Sequence, residues 1–270
     1  MFSTIFMPKL IHFRLLATVV PLLCAFSFPA KAQSSASGSI SLNSLTVTPV
    51  SGDISWSGWA LTAVSTTLNS DGGLDPESNF GTSPGSVSAI SSVPYASANT
   101  LAAASSLDAS GISGHAAGSV LIPGGINESA SVSGGYGNFA SLETTITLSQ
   151  DSSVSFGAGI SAAQSMQTDA YGQVLENEVT FNLNVSGTPT LFYDNAITLG
   201  PNGTLATSAT PTLNDSINLT AGTYDLYIEL DDEQQVLETP DEGQTCLLLL
   251  LALSLLASAR AMGGRGSLSR

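Results

Sequence analysis

Between residues 33 and 259 the chain has no Lys and no Arg. Its six cations are Lys9, Arg14, Lys31, Arg260, Arg265 and Arg270, all near one end or the other. The 21 acids run from Asp53 to Glu242, and the formal charge is −15. Without cations the body cannot displace the counter-ions of a nucleic acid, so nucleic-acid binding is excluded as a class. It also cannot offer a Schiff-base lysine, a guanidinium clamp or the lysine of a phosphate-binding loop. Cysteine is nearly as scarce: Cys24 and Cys246 are the only two, and each sits in an apolar end segment. The body therefore has no internal disulfide, no thiolate nucleophile and no Cys zinc site. Only 10% of residues are charged, well under the roughly 25% of ordinary soluble proteins.

What is abundant is Ser and Thr, about a quarter of the chain, with 26 Gly. The hydrophobic fraction of 43% is enough for a packed core and argues against global disorder.

The N-terminal end reads as an export signal over residues 1–32. Lys9 and Arg14 precede an apolar run, Leu15 to Phe28, that is the length of a signal-peptide core and too short to span a bilayer. Ala30-Lys31-Ala32 supplies the small-x-small cleavage site, which predicts Gln33 as the mature N-terminus. Leu23 before Cys24 is too large for a lipoprotein site.

The C-terminal end, residues 239–270, reads as a sorting tail. Thr239-Pro240-Asp241-Glu242-Gly243 is followed by the apolar run Cys246 to Ala259, then by Arg260, Arg265 and Arg270. Basic residues flanking each apolar run predict cytoplasmic chain ends and an exported middle. A short Pro-Asp-x-Gly motif, a hydrophobic helix and a basic terminus together resemble the exosortase-type C-terminal sorting domains, the PEP-CTERM group, and within it the VPDSG-CTERM variant of Gram-negative bacteria. Here Thr239 replaces the usual Val, Glu242 a small residue, and the arginines are spaced rather than clustered. The resemblance covers only about 32 residues. It implies an exosortase-like transpeptidase as partner, a transient inner-membrane anchor, and release to the cell surface or beyond. Pro240, Asp241 and Gly243 would be the recognised residues, and the three arginines would stop transfer. It implies nothing about activity.

Residues 33–238 are expected to be all-β, a single β-sandwich or jelly-roll-like domain of 10 to 14 strands. Alternation places Tyr224, Leu226, Ile228 and Leu230 on one face, and Val179, Phe181, Leu183 and Val185 on another. Ile217-Asn218-Leu219 is expected to form a hairpin with the former across Ala221-Gly222. Two more strands are expected at Ile146–Leu148 and Val154–Ile160. The Ser/Ala/Gly-rich stretch 81–135 fits either close-packed strands or loose surface structure, and Ala102–Leu107 a helical turn or two.

The chemical inventory is thin. His115 is the body's only histidine and is expected on a loop, and no Gly-x-Ser-x-Gly motif accompanies it. Gly157-Ala158-Gly159-Ile160-Ser161-Ala162 matches a dinucleotide fingerprint, but an alternating strand follows it instead of a helix, so a glycine-softened strand end is the better reading. Asp71, Asp75 and Glu77 in a Gly- and Pro-containing loop are candidate oxygen ligands for Ca²⁺, as are Asp231, Asp232 and Glu233 at the end of a strand. Trp56 and Trp59 are a candidate sugar-stacking pair. The expectation is a non-enzymatic surface or extracellular-matrix protein in contact with extracellular polysaccharide. The alternative is a carbohydrate-binding or carbohydrate-cleaving β-sandwich, with Ca²⁺ as a candidate ion.

Overall fold

Alternation of small or apolar residues with Ser, Thr and Asn is sustained along most of the body, and it produces strand after strand. In a computed structural model, the structure describes residues 33–238 apart from 106–107, 125–126, 134–136 and 171. The export and sorting segments lie outside the described residues. Fourteen strands and one 3₁₀ turn, Ala109–Gly111, occur among the described residues. In chain order they are β1 (Gln33–Pro49), β2 (Ile54–Asn69), β3 (Leu74–Gly81), β4 (Gly85–Val93), β5 (Ala96–Ala104), β6 (Ile112–Pro123) and β7 (Glu128–Val132). There follow β8 (Phe139–Leu148), β9 (Ser152–Gln167), β10 (Gly172–Val185), β11 (Thr188–Leu199), β12 (Thr204–Ala209), β13 (Thr212–Leu219) and β14 (Gly222–Glu238).

The strands form two antiparallel seven-stranded sheets. Sheet I runs β12-β9-β1-β6-β5-β4, and sheet II runs β11-β10-β14-β7-β2-β3. Each sheet has one position filled by two short strands end to end. β12 and β13 share the outer edge of β9, and β7 and β8 share the slot between β14 and β2. The described residues of 33–238 form one compact unit, and their apolar faces meet between the sheets in a sandwich-like arrangement.

Three expectations about the path of the chain need correcting. Ile217–Leu219 does not form a hairpin with β14. β13 pairs with β9 in sheet I, whereas β14 lies in sheet II, so Ala221-Gly222 crosses between sheets. The edge of β9 is open to β13 there, with Ile217 opposite Val154 and Leu213 opposite Ala158, whereas β14 is already flanked by β8 and β10. Ala102–Ala104 is not helical; it completes β5, where Ala102 and Ala104 are buried. The glycine-rich 157–162 segment is mid-strand in β9, antiparallel to β1, with no following helix.

Short connections follow local chemistry. Ser186 and Gly187, both at positive φ (47° and 77°), make the two-residue turn from β10 to β11, as the twist of a tight hairpin requires.

The interior is layered along the strands. A large cluster including Ile40, Leu61, Phe156, Phe181 and Ile228 fills one end. A smaller one, with Ala36, Val120, Ile122, Met166 and Val236, fills the other. Between them several strands place something small or polar. Gly38 stands between Ala36 and Ile40, Gly118 between Ala116 and Val120, Gln164 between Ala162 and Met166, and Asp232 and Gln234 between Leu230 and Val236. Asn177, Thr100, Ser65 and Ser91 continue this belt and are buried.

Candidate functional site: an acidic sheet face over a buried polar belt

In a strand, successive side chains point to opposite faces, and this decides the fate of the Asp231-Asp232-Glu233 triplet. Asp232 turns inward and is fully buried, while Asp231 and Glu233 turn outward. The triplet therefore cannot converge on one ion, and it does not close its strand, because β14 continues to Glu238. Outward on sheet II, Asp231 and Glu233 join Glu229 and Asp225 of β14, Glu176 and Glu178 of β10, Asp194 of β11 and Glu143 of β8. Glu178 pairs directly with Glu233, and Thr180 lies between Asp231 and Asp194.

Like charges opposed across a sheet, with no cation to relieve them, raise carboxyl pKa values. Partial burial pushes Asp231 up to about 6, opposed by the Asp232 N–H and reinforced by Glu229 and Glu178. Burial takes Glu233 to about 7, with Glu176, Asp231 and Glu178 adding repulsion. Glu178 is raised by burial, then by Asp194 and Glu176. The Tyr227 hydroxyl donates to Glu229 and is itself held protonated, mainly by burial.

The outer face of sheet I is the opposite. Among the described residues it carries no Asp, Glu, Lys or Arg. One row, Ser92-Ser97-Ser119-Ser37-Ser165, crosses five strands in register. Ser97 and Ser119 hydroxyls are 3.0 Å apart. His115 belongs to this face. It is on β6 and not on a loop, because Ile112 and Ala116 anchor the segment in the core. Its Nδ1 is 2.8 Å from Ser41 Oγ, and desolvation lowers its pKa. This places a hydroxyl beside an imidazole, but with no carboxylate on that face to orient the ring as in a hydrolase triad.

Beneath the acidic face lies the polar belt. Gln234 Nε2 donates to Asp232 Oδ1 at 2.5 Å, and Asn138 Nδ2 donates to Asp232 Oδ2 at 3.2 Å. Farther along, Gln164 Nε2 donates to the carbonyls of Asn177 (2.7 Å) and Asn195 (2.8 Å), while Asn195 Nδ2 donates to Gln164 Oε1 at 2.5 Å. Asn177 Nδ2 reaches the Ser37 carbonyl at 3.2 Å, a bond from sheet II to sheet I. With no Lys or Arg in the body, the Asp232 carboxyl has no ionic partner; burial raises its pKa well above the usual range despite the two amide donors.

The other candidate groups are also separated. Asp71 occupies the β2–β3 turn, but Asp75 and Glu77 are on strand β3 and not in a loop. Asp75 Oδ2 accepts the Ser92 N–H at 2.7 Å, tying β3 to β4. Among the described residues no three His, Cys, Asp or Glu side chains are grouped to hold a metal ion.

Trp56 and Trp59 do come together. Three residues apart, they would face opposite ways in a regular strand. A bulge between Ser57 and Ala60, with Gly58 at φ 66°, turns both to one side. Their rings stack at 6.0 Å and 15°. Trp59 is buried in the large cluster, and Trp56 is half-buried against it. Only Trp56 of the pair reaches solvent appreciably, so the two rings do not form an open platform. Thr239 to Gly243, the three C-terminal arginines, Ala30 and Ala32 lie outside the described residues; Gln33 is the first residue of β1.

The belt and the contrast between the sheet faces were not foreseen from sequence. The signal available was Gly, Gln, Asn or Asp replacing an apolar residue at one level of several alternating strands.

These features define an all-β, two-sheet protein with one acidic face and one face without carboxylates among the described residues. Comparison with protein-family models and with curated proteins finds no match.

Proposed function

We propose that this chain is an exported cell-surface or extracellular-matrix protein of a Gram-negative bacterium with a structural or interaction role and no catalysis. In this reading, residues 1–32 direct export, the tail from Thr239 is handled by an exosortase-like transpeptidase, and the β-sandwich body is delivered among extracellular polysaccharides. The observation that carries it is the distribution of charge. Every cation lies in the two end segments, while the body is wholly anionic and presents hydroxyls. Such a body repels anionic membrane surfaces and remains hydrated in a polysaccharide matrix. Mass spectrometry of the protein released from the cell surface tests the delivery. A C-terminus near Pro240 is expected, and an intact Arg270 on surface protein refutes tail removal.

The alternative, a carbohydrate-binding or carbohydrate-cleaving β-sandwich aided by Ca²⁺, draws its support from the half-exposed Trp56 stacked on Trp59. Glycan-array binding with and without Ca²⁺ separates the two. Saturable sugar binding lost in Trp56→Ala favours the alternative.

A further inference from the structure

We propose that the outer face of sheet I is a self-association surface whose occupant is the same face of a second copy of this chain.

Charge opposes a two-fold contact through sheet II. The body has no Lys or Arg, so a second body offers no Lys or Arg partner for its carboxylates. Approach through sheet II sets eight carboxylates against eight. Sheet I offers a face without a carboxylate among the described residues, and its single titratable group, His115, is held toward the neutral form by desolvation.

Geometry favours a two-fold contact. Serine hydroxyls both donate and accept, so a serine row is complementary to its own copy. The row through Ser97, Ser119 and Ser37 is flanked by Ile90, Leu101 and Leu121, which are 71%, 39% and 50% exposed. These supply the apolar contact that hydroxyls alone lack. Six strands about 4.8 Å apart, over about nine residues of about 3.3 Å, give a face of roughly 700 Å². A stable interface takes about 800 Å² per partner. In such a dimer the two acidic sheets lie about 30 Å apart, taking about 10 Å per sheet-to-sheet step, which is several Debye lengths at physiological salt. The contact hides the neutral faces and leaves both acidic faces in solvent. This inference is independent of how the sorting tail is processed.

The test is sedimentation velocity of the full chain in mild detergent over a concentration series, with EDTA present. A dimer is expected for the wild type. Ser37→Glu and Ser119→Glu should each raise its Kd at least tenfold, while Ser57→Glu on sheet II leaves it unchanged. Hydroxyl-radical footprinting of the wild type gives a readout that requires no variant: Ile90, Leu101 and Leu121 should be labelled less as the dimer forms, with Phe192 on sheet II unaffected. A monomeric wild type at about 100 µM overturns the proposal, including one whose sheet I face is covered by a neutral glycan instead. So does a dimer indifferent to both substitutions, as the apolar end segments would produce, or a footprint on sheet II.

Discussion

Gly38 on β1 and Asp232 on β14 face each other between the sheets, and a Cβ on residue 38 would overlap the Asp232 carboxylate. Gly118 on β6 stands in the same relation, with Asp232 Oδ2 at 2.8 Å and Val132 Cγ1 at 2.6 Å from its Cβ position. Neither glycine is at positive φ, so it is space and not backbone freedom that these positions require.

Gly38→Ala and Gly118→Ala should therefore each destabilise the body by about 1–3 kcal/mol, the usual cost of overfilling a packed interior. Gly200→Ala, with nothing within 4 Å of its Cβ position, should be neutral or slightly stabilising. Urea denaturation of the three variants checks this. Equal midpoints for Gly38→Ala and Gly200→Ala would contradict the close approach.

Asp232 is buried without a cation between two amide donors, and burial raises its carboxyl pKa well above the usual range, which favours the neutral acid. Asp232→Asn keeps the shape and adds no charge; it should change stability by less than about 1 kcal/mol. Asp232→Ala takes from the Gln234 amide its acceptor, while the Asn138 amide keeps the backbone carbonyls of Asp232 and Ala117, and should cost about 1–3 kcal/mol plus a cavity. If Asn proves as costly as Ala, the carboxyl is ionised and the interior is organised around charge.

Strands with large alternating residues, such as Val179–Val185 and Leu226–Leu230, were legible in the sequence because a Val, Phe or Leu on one face and Asn or Thr on the other leaves one way to bury the strand. Ala96–Ala104 was ambiguous because Ala and Ser differ by little in transfer free energy, and only the facing sheet makes Ala96 and Ala98 core residues. The pairing of β13 with β9 was not legible, since a sheet partner more than fifty residues away leaves no local mark. Asp231–Glu233 was misplaced for a related reason. Three acids look like the end of a strand, yet Asp232 is retained inside by amides from Asn138 and Gln234, the first of them far away in sequence. The acidic candidates were visible as residues; which face each one takes was not.

Trp59 and Trp56 should separate in their effects. Trp59→Ala removes a buried ring from the large cluster and should cost about 3–5 kcal/mol. Trp56→Ala exposes part of its neighbour but opens no sealed cavity, and should cost less, about 1–2 kcal/mol. Gly58→Ala adds a Cβ at φ 66° and strains the bulge that brings the rings together. Its stacking should weaken, read as a change in the near-ultraviolet circular dichroism of the Trp pair. An unchanged spectrum would show that the bulge is not what orients them.

The acidic face sets an unusual sign for the pH dependence. Asp231 and Glu233 have folded pKa values of about 6 and about 7, and Glu178 is also raised, whereas the unfolded values are those of ordinary carboxylates. The folded state thus binds more protons than the unfolded state between about pH 4 and pH 7, and stability falls as pH rises through that window. Most acidic proteins with ion-paired carboxylates lose stability on acidification; here, without Lys or Arg, the body should gain it. The melting temperature at pH 5 should exceed that at pH 8 by roughly 2–4 °C, equivalent to about 1 kcal/mol for a domain of this size once screening at half-exposed Glu233 is allowed for. Glu178→Gln with Glu233→Gln should flatten the profile and raise stability at pH 8, because it removes the directly opposed pair. A wild-type melting temperature that rises from pH 5 to pH 8 would mean that these carboxylates are relieved by a bound cation. Repeating the scan in EDTA would then restore the fall.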